Sequence, residues 1–258
     1  MYLTEQQILK QLLSNVEIQD SPHYLLPFNN YSIVFKEFLH KTQHPHILRL
    51  QIKDPTFMIN KNNYILFNKE KIKHPFYLAF YMLNTTKIVD FCIQISSAIF
   101  YLHKNQLIHR NITTSAVHLV DDDTFVLSGF ETMIVKNGQE IPIIGQSKYL
   151  APEIAYDELH THQHCYDYSS DNFSLGVLVF KLVTGFYPYQ QDQHTLLRDY
   201  TSEPNYSVIQ DKGTRMFCKA LLNKNSNMRR NLGDIVLYAF HDEVVSKGLL
   251  HMFEGSQK

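Results

Sequence analysis

The chain has 258 residues, of which 44% are hydrophobic and 19% are charged. This length and composition fit one or two globular domains with a sizeable core, and they argue against a disordered or low-complexity chain. Lys and Arg total 24 against 25 Asp and Glu, and this balance argues against a nucleic-acid partner or direct binding to an anionic membrane.

Cysteine usage and hydropathy bear on the compartment. Cys92 and Cys218 fall in apolar helical patterns, where a thiol behaves as a small hydrophobe, and Cys165 stands far from both. No apolar run reaches the roughly 18 residues that span a bilayer, and the start MYLTEQQ lacks the pattern of a signal peptide. We therefore expect a soluble cytoplasmic protein with no direct membrane insertion, free or associated with a membrane-bound assembly.

The first quarter of the chain predicts mixed structure. Thr4 and Gln7 form a capping-box pattern, and the apolar residues after them indicate a short amphipathic helix over 4–13. Residues 16–28 predict one or two strands, and residues 32–43 predict a helix that ends before His44-Pro45. A hairpin is predicted at 57–67.

The next elements are predicted as helices. Pro75 to Leu83 indicates a short helix, and the apolar positions from Ile88 to Leu102 recur at helical spacing. A later helix is predicted with Asp171 in its first turn, and a final amphipathic helix around 240–253. Between them, apolar residues on both sides of Asn137-Gly138 predict a β-hairpin over 133–144.

The stretch from 107 to 153 contains three separated motifs, LIHRNITTSAVHL at 107–119, VLSGFE at 126–131 and YLAPE at 149–153. Their order and spacing resemble the catalytic loop, metal loop and activation segment of protein kinases. The resemblance extends over roughly residues 33–240. It implies an α+β, bilobal kinase-like fold in a single domain of residues 1–258. A reduced small lobe, mostly antiparallel sheet with one helix, takes about 1–70, and a mainly helical large lobe about 71–258.

Four positions depart from the kinase pattern. Asn111 stands where kinases have the aspartate that accepts the substrate proton, and Thr113 stands where they have a lysine. Ala116 replaces the asparagine, and Ser128 the aspartate, that bind magnesium. No glycine precedes Gly129, so a glycine-rich loop over the phosphates is also missing.

Other positions match the family. By the resemblance, Asp171 binds the catalytic loop from beneath, and Glu153 of the Ala-Pro-Glu motif pairs with a late arginine, Arg229. The residues that match structural positions of kinases are His109, Arg110, Ala151, Pro152, Glu153, Asp171, Gly176 and Arg229. The sequence therefore predicts a kinase fold that is retained while its catalytic groups are replaced.

Three local patterns each allow two interpretations. Arg110 binds either a phosphate on Thr132 or Ser147, or a nearby carboxylate or carbonyl. The run Asp121–Asp123 is either a metal cluster or, as we expect, a solvated turn. The loop His160–Cys165 is either a transition-metal site or a polar loop; we expect no metal site.

These observations predict a pseudokinase that is not an enzyme, has no cofactor and needs neither ATP nor magnesium. It is expected to bind another protein or a multiprotein complex, as a scaffold or an allosteric subunit. The candidate surfaces are the N-terminal helix, the hairpin at 133–144 and the histidine-rich loop. The alternative is a divergent phosphoryl- or nucleotidyl-transferase with substitute residues at Glu70, Asp90 or Asp121–Asp123. A nucleotide bound without turnover is a third possibility.

Overall fold

The computed structural model describes residues 23–28, 44–47, 57–59, 62–68, 74–75, 83–119, 122–136, 147–155, 166–189, 200 and 202–254. The chain divides into two compact units, one of residues 1–43 with 49–72 and one of residues 44–48 with 73–258. The helices predicted over 4–13 and 32–43 lie outside the described residues.

The described part of the first unit is an antiparallel three-stranded sheet. It consists of β1 (His23–Phe28), β2 (Phe57–Ile59) and β3 (Asn62–Asn68), in the order β1-β3-β2. Ile59 pairs with Asn62 at the turn. The hairpin predicted at 57–67 is therefore confirmed.

The described part of the second unit contains two small sheets. Strands β4 (His74–Pro75), β6 (Val117–Leu119) and β7 (Phe125–Leu127) form one sheet in the order β4-β6-β7. The strand β5 (Leu107–Ile108) pairs antiparallel with β8 (Ile134–Val135). The helix predicted to begin at Pro75 does not begin there, because Pro75 pairs with His118 on an edge strand, where a missing N–H is tolerated.

The described part of the second unit contains four helices of ten or more residues. They are α1 (Thr85–Lys104), α2 (Tyr168–Thr184), α3 (Lys212–Leu221) and α4 (Leu232–Ser246). The side chain of Asn84 caps α1 by accepting the N–H of Lys87 at 2.9 Å. The predictions of α1 and α2 are confirmed. The helix predicted around 240–253 ends at Ser246 instead, because Gly248 takes a left-handed φ of 67° and a separate 3-10 turn follows.

The core of the second unit forms around α1 and α2, which are buried along most of their length. Helix α2 approaches α3 closely at Gly176, where an added Cβ would lie 2.8 Å from Cβ of Leu221. A sheet unit followed by a mainly helical unit agrees with the predicted α+β kinase-like fold. None of the helices in the described ranges is long and apolar enough to cross a membrane.

Candidate functional site

The loop after β5 is fixed by hydrogen bonds to one buried carboxylate. Asp171, in the first turn of α2, is 1% exposed and accepts the backbone N–H groups of His109 and Arg110, each at 2.8 Å. His103 of α1 lies 3.0 Å from the same carboxylate. Burial alone would raise the pKa of Asp171, but the hydrogen bond from His103 and the nearby histidines lower it below the ordinary value. The carboxylate therefore stays ionised and fixes the loop.

Arg110 is placed by backbone and side-chain contacts together. Its φ of 68° is left-handed, which a non-glycine residue rarely adopts. Its Nε donates to the carbonyl of Thr132 at 2.6 Å, and its guanidinium lies 5.2 Å from the ring centre of Tyr166. Thr132 in turn donates its hydroxyl to the carbonyl of His109 at 2.8 Å. These contacts match the carbonyl alternative for Arg110.

Ser128 takes part in a hydrogen-bond network with His118, Ala116 and His109. Its hydroxyl lies 2.7 Å from Nε2 of His118 and donates to the carbonyl of Ala116 at 3.2 Å. Its backbone N–H donates to the same carbonyl at 2.7 Å, and Nε2 of His109 lies 2.8 Å from the Ser128 carbonyl. Burial lowers the pKa of His118, which favours the neutral imidazole. Because the Ser128 hydroxyl donates to Ala116, it accepts from Nε2 of His118. The Ser128 hydroxyl thus has a donor and an acceptor within the fold.

The remaining replaced positions carry no anionic group. Asn111 donates its backbone N–H to Nδ1 of His109 at 3.3 Å, and its buried Oδ1 has no hydrogen-bond partner among the described residues. Thr113 is 1% exposed, with Oγ1 2.9 Å from Oγ of Ser115. Ala116 is buried, and a Cβ added at Gly129 would lie 3.3 Å from the methyl group of Ala116. A side chain at position 129 would therefore crowd Ala116.

The Ala151-Pro152-Glu153 motif leads into a helical turn, in which the Ala151 carbonyl accepts the N–H of Ala155 at 3.0 Å. This turn presents Glu153 to Arg229, with Oε2 and Nη2 2.5 Å apart. The Arg229 side chain is 0% exposed and also donates from Nη1 to the carbonyl of Ser169 at 2.9 Å. The two residues that the resemblance paired lie together and connect distant parts of the unit.

Sequence reasoning missed two histidines that complete the site. His118 lies two residues after Ala116 on β6, and His103 lies in the last turn of α1. A signal was present only for His103, since a histidine in an otherwise apolar helical stripe needs a polar partner when it is buried. The partners of both residues are distant in sequence, so the pattern alone does not identify them.

Several residues that the sequence suggested as candidates are not part of the described site. Asp122 and Asp123 are exposed, and Lys87 lies 3.5 Å from the Asp123 carboxylate, as expected of a solvated turn. Within the described ranges, no group of three or more His, Cys, Asp or Glu side chains is placed to hold a metal ion. Asp121, the second half of the 133–144 hairpin and the loop His160–Cys165 lie outside the described residues.

A sheet unit, a helical unit and a loop held beneath by a buried aspartate define a protein-kinase-like class of protein. A sequence profile described as the protein kinase domain matches residues 32–240. The chain therefore belongs to the protein kinase domain family.

Individual relatives include both kinases and a kinase adapter. Aurora kinase B of Drosophila melanogaster is 25% identical over 84% of this chain and 69% of its own length. The STE20-related kinase adapter protein beta of Homo sapiens is 28% identical over 58% of this chain and 38% of its own length. Aurora kinase of Saccharomyces cerevisiae is 30% identical over 40% of this chain and 27% of its own length. The chain thus spans less than half of the last two relatives.

These relatives correct the expectation that the chain is not an enzyme. Proteins that align with as much as 84% of the chain are named kinases, which points to kinase activity. The expectation that the chain is not an enzyme is therefore wrong.

Proposed function

We propose that this member of the protein kinase family acts by binding another protein, as an adapter or an allosteric subunit of a complex. The observation that supports the proposal most is the network around Ser128, in which a metal-ligand position of kinases is occupied by a hydroxyl with internal hydrogen bonds to His118 and Ala116. Similarity to a protein named a kinase adapter supports the same role.

The contrast between two sets of residues strengthens this argument. Asp171 and the Glu153–Arg229 pair keep buried, charge-assisted contacts that fix the fold. A rigid domain presents a constant surface to a partner, and this lowers the entropy cost of association. The groups that would act on phosphate are replaced, so the retained rigidity favours recognition by a surface.

The place of action is proposed to be the cytoplasm. Cys92 and Cys218 are buried free thiols, which suits a reducing compartment. Fluorescence microscopy of the tagged chain in its native host, with a cytoplasmic marker, tests this part of the proposal; accumulation in an oxidising compartment would contradict it.

Affinity purification from native-host extract tests the binding function. The tagged chain is expected to retain a partner that elutes with it as one complex in size-exclusion chromatography. The comparison variant is Asp171→Asn, which removes the charge that fixes the loop after β5. It is expected to weaken the binding of any partner that contacts this loop. A wild-type chain that elutes alone at every concentration would contradict the proposal.

Phosphoryl transfer by substitute residues is the second candidate, favoured by the kinases among the relatives. Asp122 and Asp123 are exposed carboxylates, whereas Asp90 contacts the ammonium group of Lys247. Incorporation of radioactive phosphate into a general substrate protein, with Mg²⁺ or Mn²⁺, measures this activity. Loss of incorporation in an Asp122→Asn, Asp123→Asn double variant would assign it to those carboxylates, and unchanged incorporation would exclude them.

A further inference from the structure

A groove of about 690 Å³ lies on the second unit, on residues from the end of α1, the start of α2 and the start of α4. All of its lining residues belong to the second unit. They include the apolar or aromatic residues Phe100, Tyr168 and Leu232. The groove is distinct from the network around Ser128, since neither Ser128 nor His118 lines it.

The lining of the groove has an excess of positive charge. Of its four Lys and Arg residues, Arg229 pairs with Glu153, and Lys136 pairs with Asp167 at 2.6 Å. Lys104 and Arg230 have no carboxylate partner among the described residues. Lys104 donates instead to a backbone carbonyl at 2.8 Å. Two exposed cations therefore remain uncompensated in one concave surface.

The lining also has unmet hydrogen-bonding capacity. Arg229 is 5% exposed and Asn172 is 1% exposed. Nε of Arg229 and Oδ1 of Asn172 have no hydrogen-bond partner within the described part of the chain. The first atom is a donor and the second is an acceptor. Buried polar atoms of this kind are normally satisfied, so polar groups that could still form hydrogen bonds lie beneath the groove surface.

We infer that the groove binds an acidic peptide segment of a protein partner, with an apolar residue flanked by Asp or Glu. Carboxylates of such a segment complement Lys104 and Arg230, and its apolar side chain packs on the half-buried ring of Tyr168. This inference deepens the proposed binding function and rests on it. A nucleic acid lacks the apolar side chain.

Fluorescence anisotropy with a fluorescein-labelled Glu-Glu-Phe-Glu-Glu peptide tests the groove directly. The wild-type chain is expected to bind it, more weakly at high salt because exposed charges are screened. A Lys104→Glu, Arg230→Glu double variant is expected to bind at least about tenfold more weakly, since two favourable charge contacts become repulsive. The matched control, Lys212→Glu with Lys219→Glu, reverses two exposed lysines of α3 that do not line the groove and is expected to bind like the wild type.

Three results would overturn the inference: no binding by the wild type, equal binding by the groove variant, or tighter binding of a labelled 12-nucleotide single-stranded DNA. Thermal unfolding verifies that each variant is folded, and Lys104→Gln with Arg230→Gln replaces the charge reversals if they unfold the chain. Affinity purification separates the two proposals. A partner retained equally by wild type and groove variant would overturn the groove alone, whereas a wild type that binds the peptide but retains no partner would overturn the binding function.

Discussion

A few buried charges determine the geometry of the site. Asp171 satisfies two backbone N–H groups of a loop that turns through the left-handed conformation of Arg110. Without an acceptor there, each buried N–H would lose its hydrogen bond to water at a cost of ~1–3 kcal/mol. The loop conformation thus depends on Asp171 of α2 as well as on side-chain contacts of the loop's own Arg110.

The Glu153–Arg229 pair gives a prediction about stability. Glu153→Gln leaves the fully buried Arg229 side chain without its anion, so urea unfolding is expected to show a loss of about 2–3 kcal/mol. The control is Glu203→Gln, which breaks the pair with Lys224 in which the Glu203 side chain is 70% exposed; its loss is expected to stay below about 1 kcal/mol. Equal losses in the two variants would contradict a dominant role for the buried pair.

Ser128 gives a prediction about metal binding. Ser128→Asp introduces a carboxylate, a ligand that Mg²⁺ prefers, at the position that binds metal in kinases. The variant is expected to gain more thermal stability than the wild type when ATP and Mg²⁺ are added together. A ligand at 100 times its dissociation constant adds ~2.7 kcal/mol. Ser128→Asn is the uncharged control, and a gain equal to that of the aspartate variant would show that charge is not the cause.

At the level of helices and strands, the sequence predicts elements well where the periodicity is long and the ends are marked. Helix α1 is predicted from its long apolar stripe, and the structure adds a capping asparagine at Asn84. Short elements fail because their contacts are not local. Pro75 looks like a helix start, yet it pairs with His118, which is 43 residues further along the chain. The end of α4 depends on the left-handed Gly248, which the apolar pattern does not show.

The close approach of α2 and α3 at Gly176 can be tested by one methyl group. Gly176→Ala places a Cβ 2.8 Å from Cβ of Leu221, closer than side chains pack without movement. Overpacking is expected to cost about 1–3 kcal/mol, although alanine favours a helix over glycine by up to ~1 kcal/mol. The added Cβ would also lie 3.0 Å from Cγ of Leu222, an atom that alanine lacks. Urea unfolding of Gly176→Ala, Leu222→Ala and the double variant measures the coupling. The double variant is expected to lose less than the sum of the singles, and strict additivity would contradict the contact.

For the whole molecule, the family and the order of motifs were accessible from sequence because kinase motifs keep their spacing along the chain. The resemblance also implied the contacts of Asp171 with the loop and of Glu153 with Arg229, but not the contacts of the histidines and of Arg110. His103 and Asp171 are separated by 68 residues, and Arg110 contacts Thr132 across 22 residues. Such contacts arise only when α1, α2 and the loop pack together. The groove lined by Lys104 and Arg230 has the same origin, since its two uncompensated cations come from distant segments.

Acid stability depends on histidines that the folded chain keeps neutral. Burial, with a smaller contribution from His46, lowers the pKa of His44 from 6.5 to about 4, and Nδ1 of His44 accepts the N–H of His46 at 3.2 Å. Below pH 6.5 the unfolded chain binds the proton that folded His44 does not bind. Stability is therefore expected to fall from pH 6.5 to about 4, by on the order of 2 kcal/mol from this residue.

Urea unfolding at a series of pH values measures this loss in wild type and in His44→Asn, whose amide oxygen preserves the acceptor for the N–H of His46. The variant is expected to lose less stability between pH 6.5 and 4 because its side chain does not titrate there. His241→Asn changes an exposed histidine and should decline as steeply as the wild type. Burial also lowers the pKa of His118, so part of the decline should survive in His44→Asn. A slope unchanged by His44→Asn would show that His44 does not determine the acid sensitivity of the fold.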